Sequence, residues 1–327
     1  MPPGVAEGSV LTVFRVAPEQ AGQRLDVFLT RELRRTSRTR TQEIIKNSAY
    51  AEDGKRLSPN VRLRSEQRVL LWRPPWDEDL VPTEIPVVYE DDDFFAVSKP
   101  ALLPVHPTAR YYRNTLIKLL EQERKGQFVS LVHRIDRETS GVLLVSKSAD
   151  IDRKLKKQLE ERSGIDKRYL AITWGSPRGP LGETEFRYDR AMKLDPHNAY
   201  KVKMMLSDAS DAQHAATRFC VLGERTHQGR TYALVQCDLE TGRQHQIRLH
   251  LASLGCPIVG DKLYGPDERL FARSADGELT LGDLARLELP RHALHAHRLV
   301  VKHPRTAQTV TITAELPDDL SEFWLGL

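Results

Sequence analysis

From Phe94 to the C-terminus, apolar residues recur in short runs that a sheet can bury. Phe94 to Ser98, Val142 to Ser146, Arg168 to Trp174, Thr217 to Leu222, Thr231 to Leu239, Leu294 to Val301 and Thr309 to Thr313 read as strands. Asn114 to Gln122, Asp150 to Glu161 and Arg243 to Leu254 read as helices. Strands outnumber helices and do not alternate with them one for one. That predicts an α+β fold with a mixed, largely antiparallel central sheet and flanking helices, and argues against a doubly wound parallel fold. No internal repeat is visible.

Ahead of this region the pattern differs. Leu25, Phe28, Leu29 and Leu33 recur at helical spacing, with Arg24, Arg31, Arg34 and Arg35 between them. Thr36-Ser37-Arg38-Thr39 interrupts the pattern, and Thr39 with Gln42 predicts a capping box for a second short helix carrying Ile44 and Ile45. A turn at Glu52-Asp53-Gly54 and short strands at Val61 to Leu63 and Val69 to Leu71 follow. Pro74, Pro75, Pro82 and Pro86 then exclude a helix or central strand. The expected organisation is a flexible tail at 1–12, a small α/β module at 13–73, a linker at 74–84 and a larger domain at 85–327; a length of 327 residues suits two domains.

Charge separates the two parts. Gly22 to Arg73 holds thirteen Lys/Arg against six Asp/Glu, a net +7, while the whole chain carries +4, leaving −3 elsewhere. A basic excess confined to one segment attracts polyanions, nucleic acid above all. Several classes are disfavoured. No stretch approaches the roughly 18 apolar residues of a membrane span, and Met1 to Leu11 lacks the pattern of a secretory signal. Cys220, Cys237 and Cys256 lie far apart with no CxxC pair, so they read as small buried hydrophobes in a cytoplasmic protein. No GxxxxGK[ST], helix-opening GxGxxG or GxSxG occurs, so nucleotide cofactors and that hydrolase class have no signature.

Two runs carry chemistry. Leu131-Val132-His133-Arg134-Ile135-Asp136-Arg137-Glu138-Thr139-Ser140-Gly141 places five ionisable residues just before an apolar strand. A loop at a strand's end can fix a carboxylate, and neighbouring cations would keep Asp136 ionised; a plain salt-bridged loop is the bland reading. In the second run, Thr241 and Gln244 match a capping box, Gly255 suits the helix stop, and Ile247, Leu251 and Leu254 form a buried stripe. Gln244 and Arg248 then share another face, with Arg248 placed to meet a carboxylate or phosphate, or simply on the surface. Arg243, beside the helix start, suits a phosphate. Tyr169, entering a strand after Lys167-Arg168, is either core or a platform for a base. His292, His295, His297 and His303 lack a carboxylate or cysteine at ligand spacing, so strand histidines beside a nucleic-acid groove are expected more than a metal site.

Together these runs resemble the pseudouridine synthase family that modifies large-subunit ribosomal RNA. His133 to Gly141 matches its HRxDxxTSG loop, with Ile135 where leucine is common, and Arg243 to Gly265 (RQHQIRLHLASLGCPIVGDKLYG) matches its second long signature. Lys167-Arg168-Tyr169, Lys99-Pro100 with Val105-His106-Pro107, and His295-Ala296 with His303-Pro304 resemble further family segments, so the likeness spans roughly 85–327. Arg24-Leu25-Asp26 and Ser37-Arg38-Thr39-Arg40 resemble the alpha-L RNA-binding module known from a small-subunit ribosomal protein, although Tyr50-Ala51-Glu52-Asp53-Gly54 replaces the usual VNG turn.

The resemblance implies isomerisation of uridine to pseudouridine within RNA, ribosomal RNA before transfer RNA, with no cofactor and no metal, by a monomer in the cytoplasm. It gives Asp136 the central role, Arg248 the task of keeping it charged, and Tyr169 that of stacking on the uracil. Arg134, Arg243, Gln244 and His133 would contact substrate, with His133 more a loop organiser than a base. Arg24, Arg38 and Arg40 of the N-terminal module would add phosphate contacts. A non-catalytic RNA-binding assembly factor and a metal-dependent RNA hydrolase are the competing readings.

Overall fold

The computed structural model describes residues 1–327 except 34–36, 109, 162–163 and 201. Arg34, Arg35 and Thr36 therefore lie outside the described residues. The chain divides into two units, Met1–Glu78 and Asp79–Leu327.

In the first unit, strand β1 (Val10–Arg15), helices α1 (Leu25–Glu32) and α2 (Arg38–Ser48), and strands β2 (Ala49–Tyr50) and β3 (Arg68–Arg73) follow in order. The strands form an antiparallel sheet ordered β1-β3-β2. Leu25, Phe28 and Leu29 of α1 meet Ile45 of α2 and Val69 and Leu71 of β3 in its core. Three expectations are corrected here. The tail of residues 1–12 is not free beyond Ser9, because Val10, Leu11 and Thr12 pair with Arg73, Trp72 and Leu71. Val61 to Leu63 is no strand; it spends its backbone bonds on the loop before α1, through Leu25 N to Val61 O and Leu63 N to Gln23 O. The cap of α2 is Ser37, whose Oγ accepts from Arg40 N, while Gln42 turns inward to Asp26.

The second unit runs β4 (Val87–Glu90), β5 (Phe94–Lys99), α3 (Leu116–Glu123), β6 (Ser130–Leu131), β7 (Ser140–Ser146), α4 (Ala149–Glu161), β8 (Asp166–Trp174), β9 (Glu185–Asp189), β10 (Met192–Leu194) and β11 (Met204–Leu206). It continues with β12 (Ala216–His227), β13 (Arg230–Leu239), α5 (Gln246–Ser253), α6 (Arg269–Asp276), α7 (Leu281–Leu287), β14 (Leu294–Lys302), β15 (Thr309–Thr313) and α8 (Asp318–Gly326). The main sheet is ordered β4-β5-β7-β14-β8-β13-β12-β9, with β15 on β14 and β6 on β7. The β7–β14 pairing is parallel and the others are antiparallel, a mixed sheet of an α+β fold.

The central strands are apolar without a break because both faces are covered. Phe95 and Val97 of β5, with Leu143 and Val145 of β7, enter one core; Phe94, Ala96, Val142 and Leu144 enter the other. Each of the Phe, Val and Leu side chains contributes about 1.5–3 kcal/mol on burial. The expected linker is shorter than 74–84, since Val81 packs on the second unit's core and Asp79 accepts from the Tyr111 hydroxyl at 2.9 Å. Cys237 and Cys256 are buried, whereas Cys220 on β12 is only half-buried.

Candidate active site

Asp136 sits in the turn between β6 and β7, and the turn is tied from several sides. Ile135 is buried while Arg134 beside it is exposed, so the backbone presents alternate residues to the core and to solvent. Lys99 Nζ, at the end of β5, donates to the carbonyls of Pro100, Leu103 and Arg137. Thr139 Oγ1 shares a hydrogen bond with His292 Nε2 at 2.7 Å. Glu138 accepts from Lys262 Nζ at 2.9 and 3.0 Å, and the turn closes on Thr139 N to Asp136 O. Gly141 has φ +108°, and a Cβ there would stand 2.2 Å from the Ala296 carbonyl oxygen; only glycine allows β7 so close to β14.

The opposing wall is the turn leading into α5. The capping box expected from Thr241 and Gln244 does not form, and the helix begins at Gln246 instead of Arg243. Gln246 is the organiser. Its Oε1 accepts from Thr241 Oγ1 and Arg243 N, and its Nε2 donates to Ala216 O and Thr217 Oγ1. His245, at φ 58°, then turns the chain into the helix from a left-handed conformation rare outside glycine. Gln244 is consequently off the helix, donating to Val202 O, and shares no helical face with Arg248. Ile247 and Leu251 are buried as a stripe requires, while Leu254 is a half-buried C-cap.

Arg248, in the first turn of α5, is no surface residue; its side chain is 8% exposed. Its Nε and one terminal nitrogen donate to Asp261 at 2.7 and 2.9 Å, and its other terminal nitrogen donates to Asp136 Oδ2 at 2.9 Å. Asp261 is aimed in turn by backbone donors, Leu263 N and Tyr264 N, both at 2.9 Å. The Arg248 guanidinium also lies 5.2 Å from the Tyr264 ring centre. A fork held on one side by a fully buried carboxylate has a single direction left for its remaining donor.

Burial is the largest single influence on the Asp136 carboxyl and pushes it up, but Arg248, through its charge and its hydrogen bond, together with His245 and His292, holds the group at about 2. Asp136 is therefore a carboxylate at neutral pH, with its side chain still 31% exposed. It opens into a cavity of about 650 Å³ that Tyr169, Arg134, Arg243, Gln244, His245 and His292 also line. The other lining carboxylates are engaged: Glu138 by Lys262, and Asp79 by Tyr111 and Arg110. Tyr169, on β8, is nearly buried, and burial together with the Asp136 charge raises its phenol, which stays protonated. Burial and Arg248 push the His245 and His292 rings down to about 4, so both are neutral at pH 7.

Other sequence expectations separate at this point. His133 faces away from the cavity's lining and accepts from Leu144 N at 3.2 Å. Three of the four C-terminal histidines are occupied elsewhere: His295 and His297 both bond Ala314 O, and His303 stands 3.2 Å from Asp91. None of these three lines the cavity; of the four, His292 alone does. In the N-terminal unit, Arg24 and Arg38 both donate to Asp26, which is fully buried, and Arg40 pairs with Glu43. Asp26 is held well below the usual carboxylate range, first by Arg24. Sequence reasoning gave no role to Lys99, His245, Asp261 or Tyr264, although Lys99 stands in one of the matched segments and the other three fall inside the long signature ending at Gly265.

The cleft thus presents one open, cation-pinned carboxylate, a group able to act as nucleophile or base. Comparison with known proteins narrows this. The family described as RNA pseudouridylate synthase matches residues 93–253. The chain is 35% identical over 322 residues to ribosomal large subunit pseudouridine synthase D of Xanthomonas campestris pv. campestris, covering 95% of this chain and 91% of that protein. It is 32% identical to the protein of the same name from Neisseria meningitidis serogroup B, covering 92% and 78% respectively. The solved structure of human RNA pseudouridylate synthase domain containing 1 shares the fold, with a TM-score of 0.56 and 24% identity over 72% of this chain and 86% of that one. The chain belongs to the RNA pseudouridylate synthase family and is an RNA pseudouridine synthase, an isomerase.

Proposed function

We propose that this synthase isomerises uridine in large-subunit ribosomal RNA, in the cytoplasm and as a monomer, with Asp136 as the essential carboxylate. The observation that carries this reading is the Asp261–Arg248–Asp136 line, which leaves one ionised oxygen pair open to a nucleoside-sized cavity. The names of the relatives support ribosomal RNA as the substrate.

In the reaction the N1–C1′ bond of uridine breaks, the uracil turns while it stays bound, and C5 bonds to C1′; the C5 proton is lost and N1 gains one. Atoms and electrons balance without an oxidant or a group donor. An ionised Asp136 either attacks C1′ or takes the C2′ proton. A glycosidase needs a second carboxyl group to protonate its leaving group; uracil leaves as a delocalised anion, so one carboxylate suffices. Tyr169 stacks on the uracil, and its protonated hydroxyl helps move the C5 proton in this reading. The target nucleotide must leave its stack to reach Asp136, which costs a few kcal/mol. Arg134, exposed at the cavity edge, fills the vacated space or grips a phosphate.

The basic N-terminal unit acts as an alpha-L-type RNA-binding module in this reading. Asp26 fixes Arg24 and Arg38 side by side with 37% and 57% of their side chains exposed, a pair suited to phosphates.

The test is direct. Asp136→Asn keeps the hydrogen bond to Arg248 but removes the charge, so pseudouridine formation should fall at least 10³-fold while RNA binding changes little, by the scale of losing an essential catalytic group. Mapping pseudouridine in total RNA from a deletion strain, with and without the Asp136→Asn gene restored, identifies the site. Normal product from the variant, or a missing mark in transfer RNA only, overturns the corresponding part of the proposal.

A further inference from the structure

A second cavity, of about 1,100 Å³, lies on the other side of the catalytic turn, between the start of β8, α4 and the ends of β12 and β13. It shares Leu239, Gly242 and Arg243 with the Asp136 cavity, so the two adjoin. At this shared wall Gly242 is exposed, and a Cβ there would meet nothing within 4 Å, so a chain crossing it meets no side chain.

The charged lining is mostly satisfied by its own neighbours. Arg168 is held by Asp238, Asp166 by Arg298, Glu240 by Arg187 and Lys156 by Asp152. Two cations differ. Among the described residues, Lys167 Nζ has no hydrogen bond or ion pair, and the guanidinium of Arg243 has no carboxylate, donating only to His214 O. The two carboxylates of the lining without partners, Glu160 and Glu185, are exposed, where water screens them. Lys167 shares this lining with Val132 and His133, which lead into the catalytic turn, and burial lowers its ammonium to about 8. A half-buried cation with no counter-charge gains from an incoming anion and lacks any structural partner that would explain its place.

We propose that this second cavity binds a backbone phosphodiester of the substrate RNA next to the target nucleotide, with Lys167 as its contact and Arg243 guiding the strand between the two cavities. The proposal rests on the RNA reading above and adds a phosphate site outside the Asp136 cavity. It makes Lys167 a substrate-positioning residue.

The test uses the full chain and a ribosomal RNA fragment containing the mapped uridine. Lys167→Gln should raise KM three- to tenfold, with the change in KM rather than kcat, and should make the dependence of log KM on log salt shallower by about one phosphate contact; Lys167→Arg should stay near the parent. RNAs with single neutral methylphosphonate linkages should reveal one flanking position whose neutralisation costs the parent as much as Lys167→Gln does and costs that variant nothing. In the unaltered chain, RNA should protect Lys167 from amine acylation, a readout that survives if Lys167→Gln folds poorly. An unchanged KM and salt slope, additive effects at every linkage, or no protection of Lys167 overturns the phosphate site while parent activity stands. A parent enzyme that isomerises no cellular uridine overturns the RNA reading itself, and the phosphate site with it.

Discussion

At the scale of single residues, the site depends on which charge wins at Asp136. Burial favours the neutral acid, while Arg248 and, behind it, His245 and His292 favour the carboxylate and together prevail. Replacing Arg248 by Gln reverses the balance. The Asp136 pKa should rise by roughly 1–3 units, so the acid limb of the kcat/KM profile should move up by that amount. Its sign follows from the need for the ionised form: activity is lost as pH falls through the new, higher pKa. The same change strands Asp261, fully buried, without its bidentate partner, which should cost about 3–5 kcal/mol of stability. Kinetics across pH and thermal melting read the two effects separately. Stability linkage follows the same sign: Asp136 stabilises the native state above the ordinary carboxylate range, and that contribution disappears as pH falls towards about 2.

At the scale of elements, the parallel crossing of β7 and β14 holds the catalytic turn against the sheet. Gly141→Ala would drive a methyl group into the Ala296 carbonyl and into a backbone conformation unfavourable to side chains. The expected cost is at least about 1–3 kcal/mol, read as a lower melting temperature and a loss of kcat, because Asp136 lies five residues upstream in the same turn. Much of this architecture was legible in the sequence. Among the described residues, seven of the strands from Phe94 onward carry enough apolar pattern to be seen, while the short β6, β9, β10 and β11 do not, and the two runs flanking Asp136 and Arg248 are dense enough to stand out. What was not legible depends on distant partners. Thr241 looks like a helix cap with Gln244, yet Gln246 outcompetes it by bonding Ala216 and Thr217 on β12, about 30 residues away in sequence. Arg248 resembles an exposed helical arginine until Asp261 and Asp136, 13 and 112 residues away, are brought to it. The start of β1 was hidden because Val10 to Arg15 shows no alternation of polar and apolar residues, and its identity comes from pairing with β3.

At the scale of the whole molecule, the two units have separate cores, and the basic excess belongs to the N-terminal one. A chain reduced to residues 79–327 should fold and keep its kcat on saturating RNA. Its affinity should fall and its salt dependence should flatten, since each lost phosphate contact removes about 0.7 from the slope on single strands. Filter binding at several salt concentrations measures this; a truncated chain with the parent's slope would remove the N-terminal unit from RNA recognition. Among the described residues no helix is long and apolar enough to cross a membrane.

The Asp261–Arg248–Asp136 line has a further consequence. Two negative charges flank one positive charge, while His245 and His292 are neutral and Glu138 is cancelled by Lys262. Further cations, Arg134, Arg137 and Arg243, line the same cavity. One open carboxylate among guanidinium groups offers different walls to the sugar and to the phosphates of a polynucleotide, and nothing in that division depends on sequence.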